Sequence, residues 1–180
     1  MEKNTYFKKY PELKNRFWDM FIVDALISNN DRNEANWGLI LDKETNNIRL
    51  CPVIDNGASF YNKTNTLKFK EYLEDTTKFK QVVYDSEVSV FDENGKPINL
   101  LKHIESMKNK SCNEALIRIF PKIDLKKIKE IIDNIPLEYQ GLFVMPKEQK
   151  DFYYKSLEYR YNNILKKVYE KSRSDINQTS

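Results

Sequence analysis

A mainly α-helical domain with one small β-hairpin is what the sequence predicts, and three observations carry that expectation. The segment RFWDMFIVDALI, Arg16 to Ile27, is apolar on almost every face, as a buried central helix is. Two short β-prone runs, Trp37 to Leu41 and Ile48 to Ile54, are separated only by the polar turn DKETNN. From Ile98 onward the apolar residues recur at helical spacing. At 180 residues, 40% of them hydrophobic, the chain has the size of one domain with a substantial core.

Taken in order, the first helix ends at the polar cluster Ser28-Asn29-Asn30-Asp31-Arg32-Asn33, a loop. The hairpin follows, and Asp55-Asn56-Gly57 closes its second strand. Between Ala58 and about Lys96, Phe60, Tyr61, Phe69, Tyr72, Phe79 and Tyr84 recur without a clean period. That stretch reads as a long surface segment with short helical or extended pieces, of the kind that often carries function. Ile98 to Lys108 then predicts a helix through Leu100, Leu101, Ile104 and Met107, and Asn113 to Phe120 a short one stopped by Pro121. Asp124 is the expected N-cap of a helix bearing Leu125, Ile128, Ile131 and Ile132, closed by Ile135-Pro136. Pro146 opens a long final helix with Phe152, Leu157, Tyr161, Ile164 and Val168 on one stripe. Beyond it KSRSDINQTS is polar, which divides the chain into a domain over 1–170 and a disordered tail over 171–180.

Composition removes several function classes. The four glycines, Gly38, Gly57, Gly95 and Gly141, are isolated, so no dinucleotide-binding, Walker or glycine-rich flap motif can be written. Thirty basic residues face 27 acidic ones, a net of +3 that makes nucleic acid an unexpected partner. No apolar run approaches the roughly 18–20 residues of a membrane span, and the start lacks a signal-peptide core. Cys51 and Cys112 read as free thiols of a cytoplasmic protein, with Cys51 a small core residue. His103 reads as a surface residue among charged neighbours. The lysines Lys63, Lys68, Lys70, Lys78 and Lys80 read as a solvated basic surface.

The chemistry concentrates between Asn29 and Gly57. Asp31 is followed five positions on by Asn36, the D-x-x-x-x-N spacing of a kinase catalytic loop. A hairpin brings its two ends together, so Asn36, before the first strand, and Asp55, after the second, are expected side by side. One amide oxygen and one carboxylate suit Mg²⁺ beside an ATP. Asp31 is then free to accept a substrate hydroxyl's proton. The same residues also fit a plain helix-to-strand loop in which Asx side chains cap the backbone, with Gly57 taking a positive φ. Asparagine occurs 19 times, so Asn36 alone decides nothing. Asp24 interrupts the apolar helix, and either binds backbone amides or Arg32 to steady the loop, or marks a face open to solvent. Asn30 reads as a further loop-orienting residue.

FWDMFIVDALISNNDRNEANWGLIL and the downstream CPVIDNGASF together resemble the HipA-like serine/threonine kinases, including their CtkA-type branch. The family's loop N-x-D-R-H-x-x-N-x-G is matched by Asn29, Asp31, Arg32, Asn36 and Gly38, with Asn33 where histidine is frequent. Asp55-Asn56-Gly57 resembles the counterpart of the kinase D-F-G. FYYKSLEYRYNNIL, together with Ile135-Pro136, is similar to the family's closing helices. The resemblance implies the C-terminal lobe of a protein-kinase-like fold, with ATP and Mg²⁺ as cofactors and a protein hydroxyl as acceptor. It implies Asp31 as catalytic base, Arg32 as its brace, and Asn36 and Asp55 as metal ligands. Ser59, Thr64, Thr66, Thr76 and Thr77 fall where an activation segment would run. Only thirty residues precede Asp31, so the N-terminal lobe that supplies flap, lysine and glutamate is expected from a truncated upstream region or from a separate, antitoxin-like partner. A toxin–antitoxin setting belongs to the same resemblance. The alternative is a non-catalytic, kinase-derived interaction module.

Overall fold

Helix α2, Pro11–Ile27, runs through the middle of the structure, and the other elements are laid around it. This computed structural model describes residues 5–85, 87–91 and 96–178. Helix α1, Thr5–Lys9, leads into α2, which Pro11 opens at a position where a missing N–H leaves nothing unpaired. Leu13, Phe17, Trp18, Phe21, Ile22, Ala25 and Leu26 are buried, as the apolar run predicts. The helix is not closed all round: Val23 is 41% exposed, and Asp19 pairs with Arg118 at 2.7 Å. At its end Ser28 is left-handed (φ 55°), and the N–H groups of Ser28 and Asn29 both return to the Asp24 carbonyl.

The expected hairpin is present as β1, Leu39–Leu41, and β2, Ile48–Leu50, antiparallel with Leu39 opposite Leu50. The Cys51 N–H donates to the Gly38 carbonyl at 2.9 Å and carries the pairing toward the strand ends. Pro52 has no N–H to give, which is why the ladder stops short of Ile54. In the turn the Asp42 carboxylate accepts the N–H groups of Glu44 and Thr45, and these bonds hold it below the usual carboxylate range.

The stretch after Ala58 departs from the expectation of a loose surface segment. A 3₁₀ turn, Ser59–Tyr61, is followed by α3, Thr66–Glu74, and α4, Thr76–Tyr84. Each helix has nine residues, about two and a half turns, too short for a helical period to stand out. Their caps are the readable signal: Asn65 accepts from Lys68 N–H, and Asp75 from Thr77 and Lys78 N–H. Phe69, Phe79 and Val83 are buried, and the first two gather with Tyr72 around Phe152 at ring separations of 5.0–5.9 Å.

Two more antiparallel pairs join the one expected. Strand β3, Glu87–Phe91, pairs with β4, Pro97–Asn99. Strand β5, Glu138–Tyr139, pairs with β6, Leu142–Phe143, through left-handed Gln140 (φ 51°) and Gly141 (φ 77°). The helical end comprises α5, Leu100–Ser106, α6, Lys110–Ile119, α7, Leu125–Asp133, and α8, Lys147–Arg160. Asp124 caps α7 through Lys127 N–H as expected, and α2 packs on α5, α6 and α8. A π-helical turn, Tyr161–Leu165, passes α8 into α9, Lys166–Gln178. The segment 171–180, expected to be a disordered tail, is helical through Gln178. Leu165, Val168 and Ser172 are buried along one side, and Tyr169 stacks on Phe120 at 4.5 Å, which anchors the helix past Glu170.

His103 also departs from expectation. Its ring stacks on Trp18 at 5.6 Å and meets the edge of Phe21, because α5 lies against α2. Burial lowers its pKa from the ordinary 6.5, so the fold favours neutral imidazole. As pH falls through 6.5 the unfolded chain takes up a proton that the folded one resists, and stability drops. Urea unfolding is therefore expected at lower denaturant at about pH 5.5 than at about pH 7.5, with a smaller difference in His103→Gln. Cys51 is half-buried rather than a core residue, whereas Cys112 is buried and its thiol pushed up to about 12. A disulfide-exchange reagent at about pH 8 should titrate Cys51 in the native protein, and Cys112 only after unfolding.

Candidate active site

The loop after α2 is built on a buried ion pair. Asp24, 1% exposed, receives Arg32 in two bonds: Nε to Oδ2 at 2.8 Å and Nη2 to Oδ1 at 2.9 Å. The same guanidinium reaches across the hairpin, donating to the Ile54 carbonyl and, at 2.6 Å, to the Asn56 side-chain oxygen. Asn29 adds a second tie, its amide donating to Asp24 at 3.1 Å and to the Asp55 carbonyl at 3.4 Å. Of the two readings of Asp24, the one open to solvent is thus excluded. Two segments separated by more than twenty residues are held to one carboxylate.

The hairpin brings its ends together. Asn36 Nδ2 donates to Asp55 Oδ2 at 2.9 Å. The Asn36 oxygen is turned back into its own loop, where it accepts the Asn33 N–H at 3.0 Å. Asn33 in turn accepts from Ala35 N–H, closing a reciprocal cap around the 3₁₀ turn Glu34–Asn36. Asp55 is itself left-handed (φ 56°), whereas Gly57 is not. An aspartate rather than the glycine therefore carries the strain of this turn, of order 1–3 kcal/mol. Gly38, at the other end of the hairpin, lies at φ 153° with nothing near where a Cβ would stand.

Asp31 is exposed, and its carboxylate accepts no hydrogen bond from the described residues. It faces an open cleft of about 360 Å³ together with Asn30, Ala58, Tyr61, Asn62, Lys63 and Thr64. Asn30 accepts from the Ser28 hydroxyl at 3.3 Å. Of the basic residues, Lys63 lines this cleft, while Lys68 and Lys78 both pair with Glu71 and draw its carboxyl down to about 2. Ser59 is buried, and Thr64 is half-buried at the cleft.

Among the described residues no three His, Cys, Asp or Glu side chains gather to cage a metal. What is present is one hard oxygen donor, the Asp55 carboxylate, with the Asn36 amide beside it presenting its N–H, whereas Mg²⁺ calls for oxygen donors completed by water and phosphate oxygens. Asp55 fits directly. Asn36 fits once its amide turns over, exchanging the N–H that now faces Asp55 for its oxygen.

Sequence reasoning missed three residues of this neighbourhood. Asn56 completes the Arg32 clamp, and it was visible only as the middle of Asp-Asn-Gly. Tyr61 forms a wall of the Asp31 cleft. Arg160, wholly buried, donates to the Tyr61 hydroxyl and to the Leu26 and Val83 carbonyls. Its signal was a charge among the buried side chains of a long helix, the same signal that drew attention to Asp24.

No protein-family model matches the sequence. The chain is 32% identical over 163 residues to the serine/threonine-protein kinase CtkA of Helicobacter pylori, strain J99, which covers 90% of this chain and 48% of that protein. It thus spans about half the length of the curated relative it matches. Its fold superposes on the crystal structure of the Helicobacter pylori proinflammatory kinase CtkA with a TM-score of 0.83 at 30% identity, over 91% of this chain and 57% of that one. Agreement in sequence and in fold over nine-tenths of its length places this mainly helical chain, with its kinase-like fold, in the CtkA/HipA-like kinase family.

Proposed function

We propose that the chain is the phosphoryl-transfer half of an ATP- and Mg²⁺-dependent serine/threonine protein kinase. The observation that carries this reading is the 2.9 Å contact of Asn36 with Asp55 across the hairpin ends. Asp31, with no competing hydrogen bond from the described residues, holds the acceptor hydroxyl in line and takes its proton, an effect worth about 10²–10⁴ in rate. As the proton leaves, that oxygen bonds to the γ-phosphorus of ATP and the bond from this phosphorus to the bridging oxygen breaks, releasing ADP. Arg32 does not touch the reactants. It fixes the loop that presents Asp31 against the turn that presents Asp55. Asn36 and Asp55 are the residues that would hold Mg²⁺, which when bound neutralises charge on the transferring phosphate.

The groups that cover the α- and β-phosphates in kinases are not among these residues, whose four glycines stand apart. Full turnover on this reading calls for a phosphate-covering lobe from other polypeptide, in the same protein or in a separate or antitoxin-like partner. The acceptor is a protein hydroxyl, and the setting is cytoplasmic. No helix among the described residues is long and apolar enough to cross a membrane.

One observation favours a second reading, a non-catalytic interaction module: the Asn36 oxygen serves the loop backbone and only its N–H faces Asp55. Nucleotide binding separates the two. Calorimetry with ATP and Mg²⁺, the complementary lobe supplied, should show metal-dependent binding that Asp55→Ala abolishes. Phosphate transfer should fall at least about 10²-fold in Asp31→Asn. Transfer that survives both substitutions overturns the roles given to Asp31 and Asp55, and absence of both metal-dependent binding and transfer leaves the module reading standing. The bracing role has its own readout: Arg32→Met strands Asp24 as a buried unpaired charge and should cost about 3–5 kcal/mol in urea unfolding, whereas Asp31→Asn should cost little.

A further inference from the structure

Arg160 is fully buried on α8, yet no carboxylate among the described residues pairs with it. Its Nη1 donates to the Leu26 carbonyl at 3.1 Å, its Nε to the Val83 carbonyl at 3.2 Å, and its Nη2 to the Tyr61 hydroxyl. The three acceptors belong to the end of α2, the end of α4, and the turn that follows Asp55. Burial pulls the guanidinium pKa down and pushes the Tyr61 phenol up, while each group partly relieves the other. The phenol accepts from Arg160 and donates to the Val82 carbonyl at 2.9 Å.

The turn so held is strained. Phe60 and Tyr61 are both left-handed, at φ 59°, where bulky residues seldom sit. Phe60 stacks on Tyr153 at 5.1 Å, and Tyr61 meets the edge of Phe152 at 5.4 Å, so α8 supplies two rings and a cation to this turn, while α4 accepts from the Tyr61 hydroxyl through the Val82 carbonyl. Tyr61 also lines the cleft that Asp31 faces. One buried cation therefore ties the helix leading to the catalytic loop to the opposite wall of the cleft.

We propose that Arg160 and Tyr61 are positioning residues for the acceptor. They hold the 58–64 turn as the wall against which an extended, hydroxyl-bearing peptide segment lies opposite Asp31. This rests on the phosphoryl-transfer reading, and two independent measurements separate them. The first needs no turnover: amide hydrogen exchange on the 180-residue chain. Residues 58–64 should exchange at least about tenfold faster in Arg160→Lys and Tyr61→Phe, while the β1–β2 hairpin is unchanged. The second uses dephosphorylated casein as acceptor, with the complementary lobe present. Tyr61→Phe, which keeps the ring and loses one hydroxyl, should raise the KM for casein about tenfold, with a smaller change in kcat and in the KM for ATP. Unchanged exchange in both variants overturns the tie. Lost protection with an unchanged casein KM, or equal effects on casein and ATP, overturns the positioning role. Absence of transfer from the unsubstituted protein instead sinks the kinase reading and the acceptor role with it, while exchange still decides the tie. Should Arg160→Lys fail to fold, Tyr61→Phe alone carries both measurements.

Discussion

The buried pair of Asp24 and Arg32 is the constraint on which the site depends. Taking both charges out of water is costly, and the loss is recovered only where the geometry satisfies every donor. Here the guanidinium is bidentate on the carboxylate and spends its remaining reach on the Ile54 carbonyl and Asn56. A planar fork of donors fixes direction as well as distance, which a lysine ammonium would not do. The loop bearing Asp31 and the turn bearing Asp55 are thus set relative to one another by one buried guanidinium. Asn29 repeats the arrangement on a smaller scale by joining Asp24 to the Asp55 carbonyl.

A second buried arginine obeys a different logic. Among the described residues Arg160 has only neutral acceptors, drawn from three elements, and its charge is offset by carbonyl dipoles and a phenol. The first pair ties the loop to the turn that bears Asp55, and the second holds the wall of the cleft that bears Tyr61. Both lie at the two ends of one short stretch, Leu26 to Arg32, so the helix α2 that supplies the core also fixes the frame of the site.

The features legible in the sequence were those dictated by backbone geometry. Antiparallel strands must bring their ends together, so the meeting of Asn36 and Asp55 followed from two β-prone runs and a turn. A carboxylate in an apolar helix must find a partner or water, so Asp24 narrowed to Arg32, backbone or solvent. Side-chain orientation was out of reach: nothing in the residue order says that the Asn36 oxygen turns inward to Asn33. Nor did it show that Asp55, rather than Gly57, takes the left-handed conformation. Helices α3 and α4 escaped because burial of Phe69 and Phe79 depends on Phe152, more than seventy residues away, and not on local periodicity. His103 escaped for the same reason, its surroundings being supplied by Trp18 and Phe21 from another helix.

The π-helical turn Tyr161–Leu165 has a consequence for how the closing helix does its work. Each residue advances an α-helix by about 100°, so one residue inserted into a turn resets the phase of everything after it. Before the insertion Phe152 and Arg160 address α3, α4 and the 58–64 turn. After it α9, with Val168 and Ser172 buried, packs on α6, and Tyr169 stacks on Phe120. A single rod is thereby keyed to two locks cut at different angles. Removing one residue from the turn would leave either half well formed, but never both seated together.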